Sequence, residues 1–135
     1  MEYENLIITK FKKSNNLTVT YEGEDKREYS ITDEQIPHPD LVKALSALNN
    51  KLAESFYVNP EYYDKYECTG FTKIIKGEIE YILLTGKVKN PDDNTVGISS
   101  GHIDVSSIEK EFKKLCTEIL EYFFKQKTAQ AKLDF

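Results

Sequence analysis

An α+β fold is what the sequence predicts: an antiparallel sheet, or two packed sheets, carrying two helices in the chain order βββα–βββα. Three observations predict it. Residues 17–22 alternate, with Leu17, Val19 and Tyr21 on one face and Thr18 and Thr20 on the other, which is the period of a half-buried strand. Leu41, Leu45, Leu48, Leu52 and Phe56, and later Ile108, Phe112, Leu115, Ile119 and Phe123, recur at helical spacing, and each set makes one apolar stripe. Turn-forming residues punctuate the strand-like runs at Asn15-Asn16, Gly23-Glu24-Asp25, Lys76-Gly77 and residues 90–94.

In chain order, residues 5–11 read as the first strand, and Asn15-Asn16 supplies a hairpin turn that tolerates positive φ. Residues 17–22 form the second strand, and a third has Tyr29 and Ile31 facing inward, completing an antiparallel meander. Pro39 suits the first turn of a helix, where its missing N–H costs nothing, and that helix runs to about Ser55, before Asn59-Pro60. Strands come next at 67–75 and 78–88; the second is apolar on both faces (Ile79, Tyr81, Leu83 against Ile82, Leu84, Val88) and is expected to be central. A further strand covers about 95–105. Ser106 with Glu109 makes a capping box for the last helix. One domain, 1–128, is therefore expected, with similar halves at 1–56 and 66–128 and a tail at 129–135.

Composition narrows the function. A chain of 135 residues, 39% hydrophobic and 30% charged, is a folded domain, with no apolar run near the roughly 20 residues of a membrane span. The acidic start, Met1-Glu2-Tyr3-Glu4-Asn5, is unlike a signal peptide, so a cytoplasmic protein is expected. The net charge of −5 argues against binding duplex DNA through a broad basic surface. Lysines nevertheless cluster at Lys10, Lys12 and Lys13 and through the last quarter of the chain, and Arg27 is the only arginine. Cys68 and Cys116 have no CxxC neighbour and read as buried thiols.

Catalytic motifs are not expected to operate. Gly97-Ile98-Ser99-Ser100-Gly101 matches G-x-S-x-G, but no helix comes immediately after it and no later histidine completes a triad, so a bend in a strand is the better reading. His102 and Asp104 share a strand face as a two-ligand metal pair, yet no second cluster completes a site; His38 lies between two prolines in a surface-like connection. No cofactor is expected.

Binding is better represented. Phe56, Tyr57, Tyr62, Tyr63 and Tyr66 fall within eleven residues, with Lys65 among them. Tyrosine rings stack on bases while their hydroxyls hydrogen-bond, so this segment suits single-stranded nucleic acid or a nucleotide. The bland alternative is an aromatic plug between the halves.

The last six residues, Gln130-Ala131-Lys132-Leu133-Asp134-Phe135, resemble the six-residue motif by which proteins bind the bacterial sliding clamp. The resemblance implies that Gln130 hydrogen-bonds at the mouth of the clamp pocket while Leu133 and Phe135 fill its apolar subsites. Ala131 and Lys132 depart from the bulkier aliphatic and the small or acidic residue favoured there. Asp134-Phe135 also resembles the end of the acidic tail of single-stranded-DNA-binding proteins, with lysines in place of the acidic run. The body resembles small uncharacterised phage proteins that begin with a hairpin meander, a likeness that implies no function.

Two non-enzymatic functions are expected from these features. One is a phage or bacterial accessory of DNA replication or recombination, docked on the clamp by its tail and contacting single-stranded DNA through its body. The other is a module that binds or sequesters a nucleotide signal, as an anti-defence protein would, with residues 97–102 and the tyrosines lining its pocket. The oligomeric state stays open.

Overall fold

The computed structural model describes residues 6–128. Seven strands form one antiparallel sheet. They are β1 (Ile7–Lys13), β2 (Leu17–Glu22), β3 (Glu28–Asp33), β4 (Tyr66–Lys76), β5 (Ile79–Lys89), β6 (Thr95–Ser99) and β7 (Ile103–Asp104). Their order across the sheet is β3-β2-β1-β4-β5-β6, with β7 beside β5 beyond the end of β6. The α+β class expected from the sequence is therefore present, as one continuous sheet rather than two. The halves join where β1 meets β4, with Phe11 opposite Phe71 and Lys12 opposite Gly70.

The sheet has one covered face. Ile8, Phe11, Val19, Tyr21, Cys68, Phe71, Ile82 and Leu84 are buried in a single core with Leu41, Leu45, Leu48, Leu52, Phe112, Leu115 and Ile119 from the helices. The opposite face is polar at its first half, where Thr18 meets Thr32 and Thr20 meets Ser30 through hydroxyl contacts of 3.1 and 3.0 Å. Two glycines permit close approach. A Cβ on Gly70 would sit 2.1 Å from the Phe11 carbonyl oxygen, and one on Gly86 would sit 2.6 Å from Leu52.

The helices number three among the described residues. The single helix expected to span Pro39 to Ser55 is α1 (Pro39–Ser46) followed by α2 (Asn49–Glu54). The break lets Asn49 turn its side-chain oxygen onto the Cys68 N–H at 2.7 Å, so that α2 is tied to β4. Leu48 and Leu52 stay fully buried, but the stripe ends there, leaving Phe56 38% exposed. His38 is not on the surface: it is buried, and its Nδ1 caps α1 by accepting from the Asp40 N–H at 3.1 Å.

Other departures have local causes. Tyr29 shares the covered face but lies on the edge strand, near the hairpin turn, and is half-exposed. The strand β5 lies between β4 and β6, second from the edge; Ile82 and Leu84 point into the core, while Ile79, on the other face, is exposed. The expected strand at 95–105 breaks because the Ser100 hydroxyl enters the sheet and accepts from the Leu84 N–H at 2.8 Å. The cap beyond it is Asp104 rather than Ser106: the Asp104 carboxylate accepts from the Ser106 N–H, and a short 3-10 turn, Val105–Ile108, precedes α3 (Glu109–Phe124). The hairpin at Asn15-Asn16 turns without positive φ, which occurs instead at Lys26, Tyr57, Gly77, Asp93 and Gln126.

Candidate nucleic-acid interface

Antiparallel pairing brings the C-terminal ends of β1 and β5 and the N-terminal end of β4 to one margin of the sheet. Two adjoining concavities lie there. The first, about 410 Å³, is lined by Lys12, Lys13, Ser14, Asn15, Glu67, Thr69, Gly86 and Lys87. The second, about 320 Å³, is lined by Asp64, Lys65, Glu67, Lys87, Val88, Lys89 and Thr95. They share Lys87 and Glu67, whose charged atoms stand 3.4 Å apart with about half of each side chain exposed. An exposed pair of this kind contributes little to stability and readily exchanges partners. Five lysines thus face two carboxylates in a chain that is acidic as a whole.

The tyrosine segment runs into this margin. After α2, Tyr57 turns with φ 58 and is 95% exposed. The left-handed region costs a non-glycine residue about 1–2 kcal/mol, and a side chain in water returns no packing energy for it. A 3-10 turn, Pro60–Lys65, then carries Tyr62, which is 47% exposed, and the partly covered Tyr63. Lys65, at the end of that turn, lines the second concavity. Tyr66 does not join the exposed group: its ring packs against Phe56 at 6.2 Å, so it serves the body of the protein.

Of the residues singled out from sequence, Lys65 is thus brought to the lysines, and Tyr57 and Tyr62 offer open rings on the preceding segment. Lys12, Lys13, Lys87 and Lys89 were not singled out as site residues. They are far apart in the chain, and only the pairing of β1 with β4 and of β4 with β5 assembles them. Gln130, Leu133 and Phe135 lie outside the described residues.

The alternative pair is spoken for. Asp104 is held by Ser106, whose side chain and backbone N–H both donate to it and lower its carboxyl pKa. The exposed His102 ring lies 5.6 Å from that of Tyr81. Among the described residues no group of three or more His, Cys, Asp or Glu side chains is placed to hold a metal, and no helix is long and apolar enough to cross a membrane. By fold this is an α+β protein with a half-covered antiparallel sheet. No protein-family model, curated protein or solved structure matches the chain.

Proposed function

We propose that this protein is a non-enzymatic binding module whose body takes single-stranded DNA along the lysine-lined margin, with Tyr57 and Tyr62 available to stack on bases. The observation that carries this reading is the gathering of Lys12, Lys13, Lys65, Lys87 and Lys89 around two contiguous concavities in a chain of net charge −5. Lysines along a groove can neutralise successive phosphates of a strand, and exposed aromatic rings add stacking that is indifferent to sequence. Glu67 and Asp64 limit non-specific attraction; a phosphate that captures Lys87 releases Glu67 to solvent. In the same reading, Gln130, Leu133 and Phe135 dock the protein on a bacterial sliding clamp and place it at replication or recombination.

The first concavity is also large enough for a single nucleotide, which favours sequestration of a nucleotide signal as the second reading. One titration separates the two. Labelled oligo-dT should bind with an affinity that falls steeply with salt and is little reduced by mononucleotide competitors. Displacement by a nucleotide at stoichiometric concentration would establish the second reading instead, and binding of neither would sink both. Clamp docking is tested by binding of the intact chain, and of one lacking residues 130–135, to a purified clamp. Binding that survives the truncation would overturn it.

A further inference from the structure

Another concavity, about 400 Å³, lies at the tip of the β2–β3 hairpin and is walled by Tyr21, Gly23, Glu24, Asp25 and Tyr29. It is at the opposite end of β2 from the lysines, because Leu17 adjoins Lys13 while Glu22 leads into the hairpin turn. Tyr21 and Tyr29 face each other in register and stack with centroids 5.6 Å apart and planes inclined by 23°. Phe124 meets Tyr21 edge-on at 5.5 Å. Tyr21 is buried by these neighbours, whereas Tyr29, on the edge strand, keeps 41% of its surface exposed.

The turn is shaped around the Tyr29 ring. A Cβ on Gly23 would come within 3.0 Å of that ring and 3.1 Å of the Asp25 carboxylate, so only glycine lets the two approach as they do. The Lys26 N–H donates to the Gly23 carbonyl at 2.9 Å, and Lys26 itself takes φ 62. The folded turn aims Asp25 at the phenol: the Tyr29 hydroxyl donates to Oδ2 at 2.5 Å and the Arg27 N–H donates to Oδ1 at 3.0 Å. These bonds hold the Asp25 carboxyl below its ordinary pKa, the Tyr29 hydroxyl foremost. Among the described residues, neither Asp25 nor Glu24 has a cationic side chain within ion-pair distance.

A phenol that donates to a carboxylate gains electron density in its ring, which makes the ring face more attractive to a cation. Asp25 and Glu24 line the same cavity as that ring, and among the described residues neither has a cationic partner. A bare metal ion would need more oxygen ligands than the cavity offers, and an anion is repelled. We propose that this cavity binds a small quaternary ammonium cation, seated against the Tyr29 ring and balanced by Asp25 and Glu24. The proposal uses none of the residues of the lysine margin and stands apart from the function argued there.

The test is a titration of the ¹⁵N-labelled protein with choline chloride at constant ionic strength, tracking the amide resonances of Gly23, Asp25 and Tyr29. Saturable shifts confined to the hairpin are expected. The carbon isostere 3,3-dimethyl-1-butanol should bind about tenfold more weakly, since cation–π attraction and the carboxylates act only on the charged ligand. Tyr29→Leu should abolish the shifts while resonances of β4 and β5 stay in place, which shows that the fold is retained. Tyr29→Phe should keep weakened binding. Equal binding of the neutral isostere, undiminished binding by a folded Tyr29→Leu protein, or no saturable shift in the wild type would each overturn the proposal.

Discussion

Lys127 Nζ lies 2.9 Å from Oε1 of Glu118, a carboxylate whose side chain is only 3% exposed on α3. The same ammonium reaches Glu121 at 3.2 Å and Asp40 at 3.0 Å, while Lys114 approaches the other Glu118 oxygen at 3.3 Å. Gln126, at φ 52, turns the chain back after α3 and so delivers Lys127 to this group. Thr128 then bridges to Pro37, just before α1. One ammonium therefore fastens α1 to α3 and compensates a buried charge.

Removing it should be costly. Lys127→Met leaves Glu118 with only the exposed Lys114 as partner among the described residues, and a loss of about 2–3 kcal/mol is expected, at or below the low end of the roughly 3–5 kcal/mol for breaking a fully buried pair because Lys127 is itself partly exposed. Urea denaturation measures it. The double variant Lys127→Met/Glu118→Leu should recover most of the loss, since the uncompensated charge is gone.

The clasp also sets a pH dependence. Lys127, through its hydrogen bond, holds the Asp40 carboxyl below its ordinary pKa. The stability that this contributes is present above the unfolded value near 3.8 and is lost as pH falls through the lower folded value. Burial alone would push the Lys127 ammonium down, but Glu118, Asp40 and Glu121 together raise it. Its contribution is complete below the unfolded value of 10.5 and is lost as pH rises through the higher folded value. Urea midpoints measured against pH should therefore fall at both extremes in the wild type. In Lys127→Met both components should be missing.

The thiols should be inert in the folded protein. Burial pushes Cys68 up to about 11 and Cys116 up to about 12. A thiolate is the reactive form, so at pH 8 a disulfide reagent should label neither at an appreciable rate. Two thiols should react at once in urea. Cys68 is buried whereas Cys116 is only partly covered, so rapid labelling of Cys68 in native conditions would show that β4 opens locally.

What was legible in the sequence divides by physical range. The alternation at 17–22 and the stripes from Leu41 to Leu52 and Ile108 to Ile119 are local consequences of burying one face, and they sit where the pattern places them. The split between α1 and α2 was not legible, because its partner, the Cys68 N–H, is nineteen residues from Asn49. The lysine margin was hidden for the same reason: Lys12 and Lys87 become neighbours only through the order β1-β4-β5. Tyr29 shows the limit of periodicity, which gives the face of a strand but not its distance from the edge.

Glycine at the seam offers a sharper test of the joined halves. Gly70→Ala would drive a Cβ to 2.1 Å from the Phe11 carbonyl oxygen, against backbone that cannot move without parting β1 from β4. A loss of about 2–3 kcal/mol is expected, at the upper end for overpacking. Gly97→Ala, where no atom lies within 4 Å of the added carbon, should change stability by less than about 0.5 kcal/mol. Equal effects at the two positions, measured by thermal or urea unfolding, would mean that the close approach at Gly70 is not real.

Tyr57 separates stability from binding. It holds a left-handed conformation just past the end of α2 with its side chain 95% exposed, a position where glycine is the usual residue. Tyr57→Gly relieves backbone strain but frees the unfolded chain, so a net stabilisation of up to about 1 kcal/mol is expected. If the ring stacks on a base, the same change removes about 1–3 kcal/mol of binding energy, and affinity for oligo-dT should fall about fivefold or more. Tyr57→Phe should preserve affinity, because stacking needs the ring and not the hydroxyl. A variant that gains stability and loses affinity would mark Tyr57 as a residue held in strain for its ligand. A Tyr57→Gly protein that binds oligo-dT as well as the wild type would remove Tyr57 from the DNA contact and leave the strain there without a ligand to explain it.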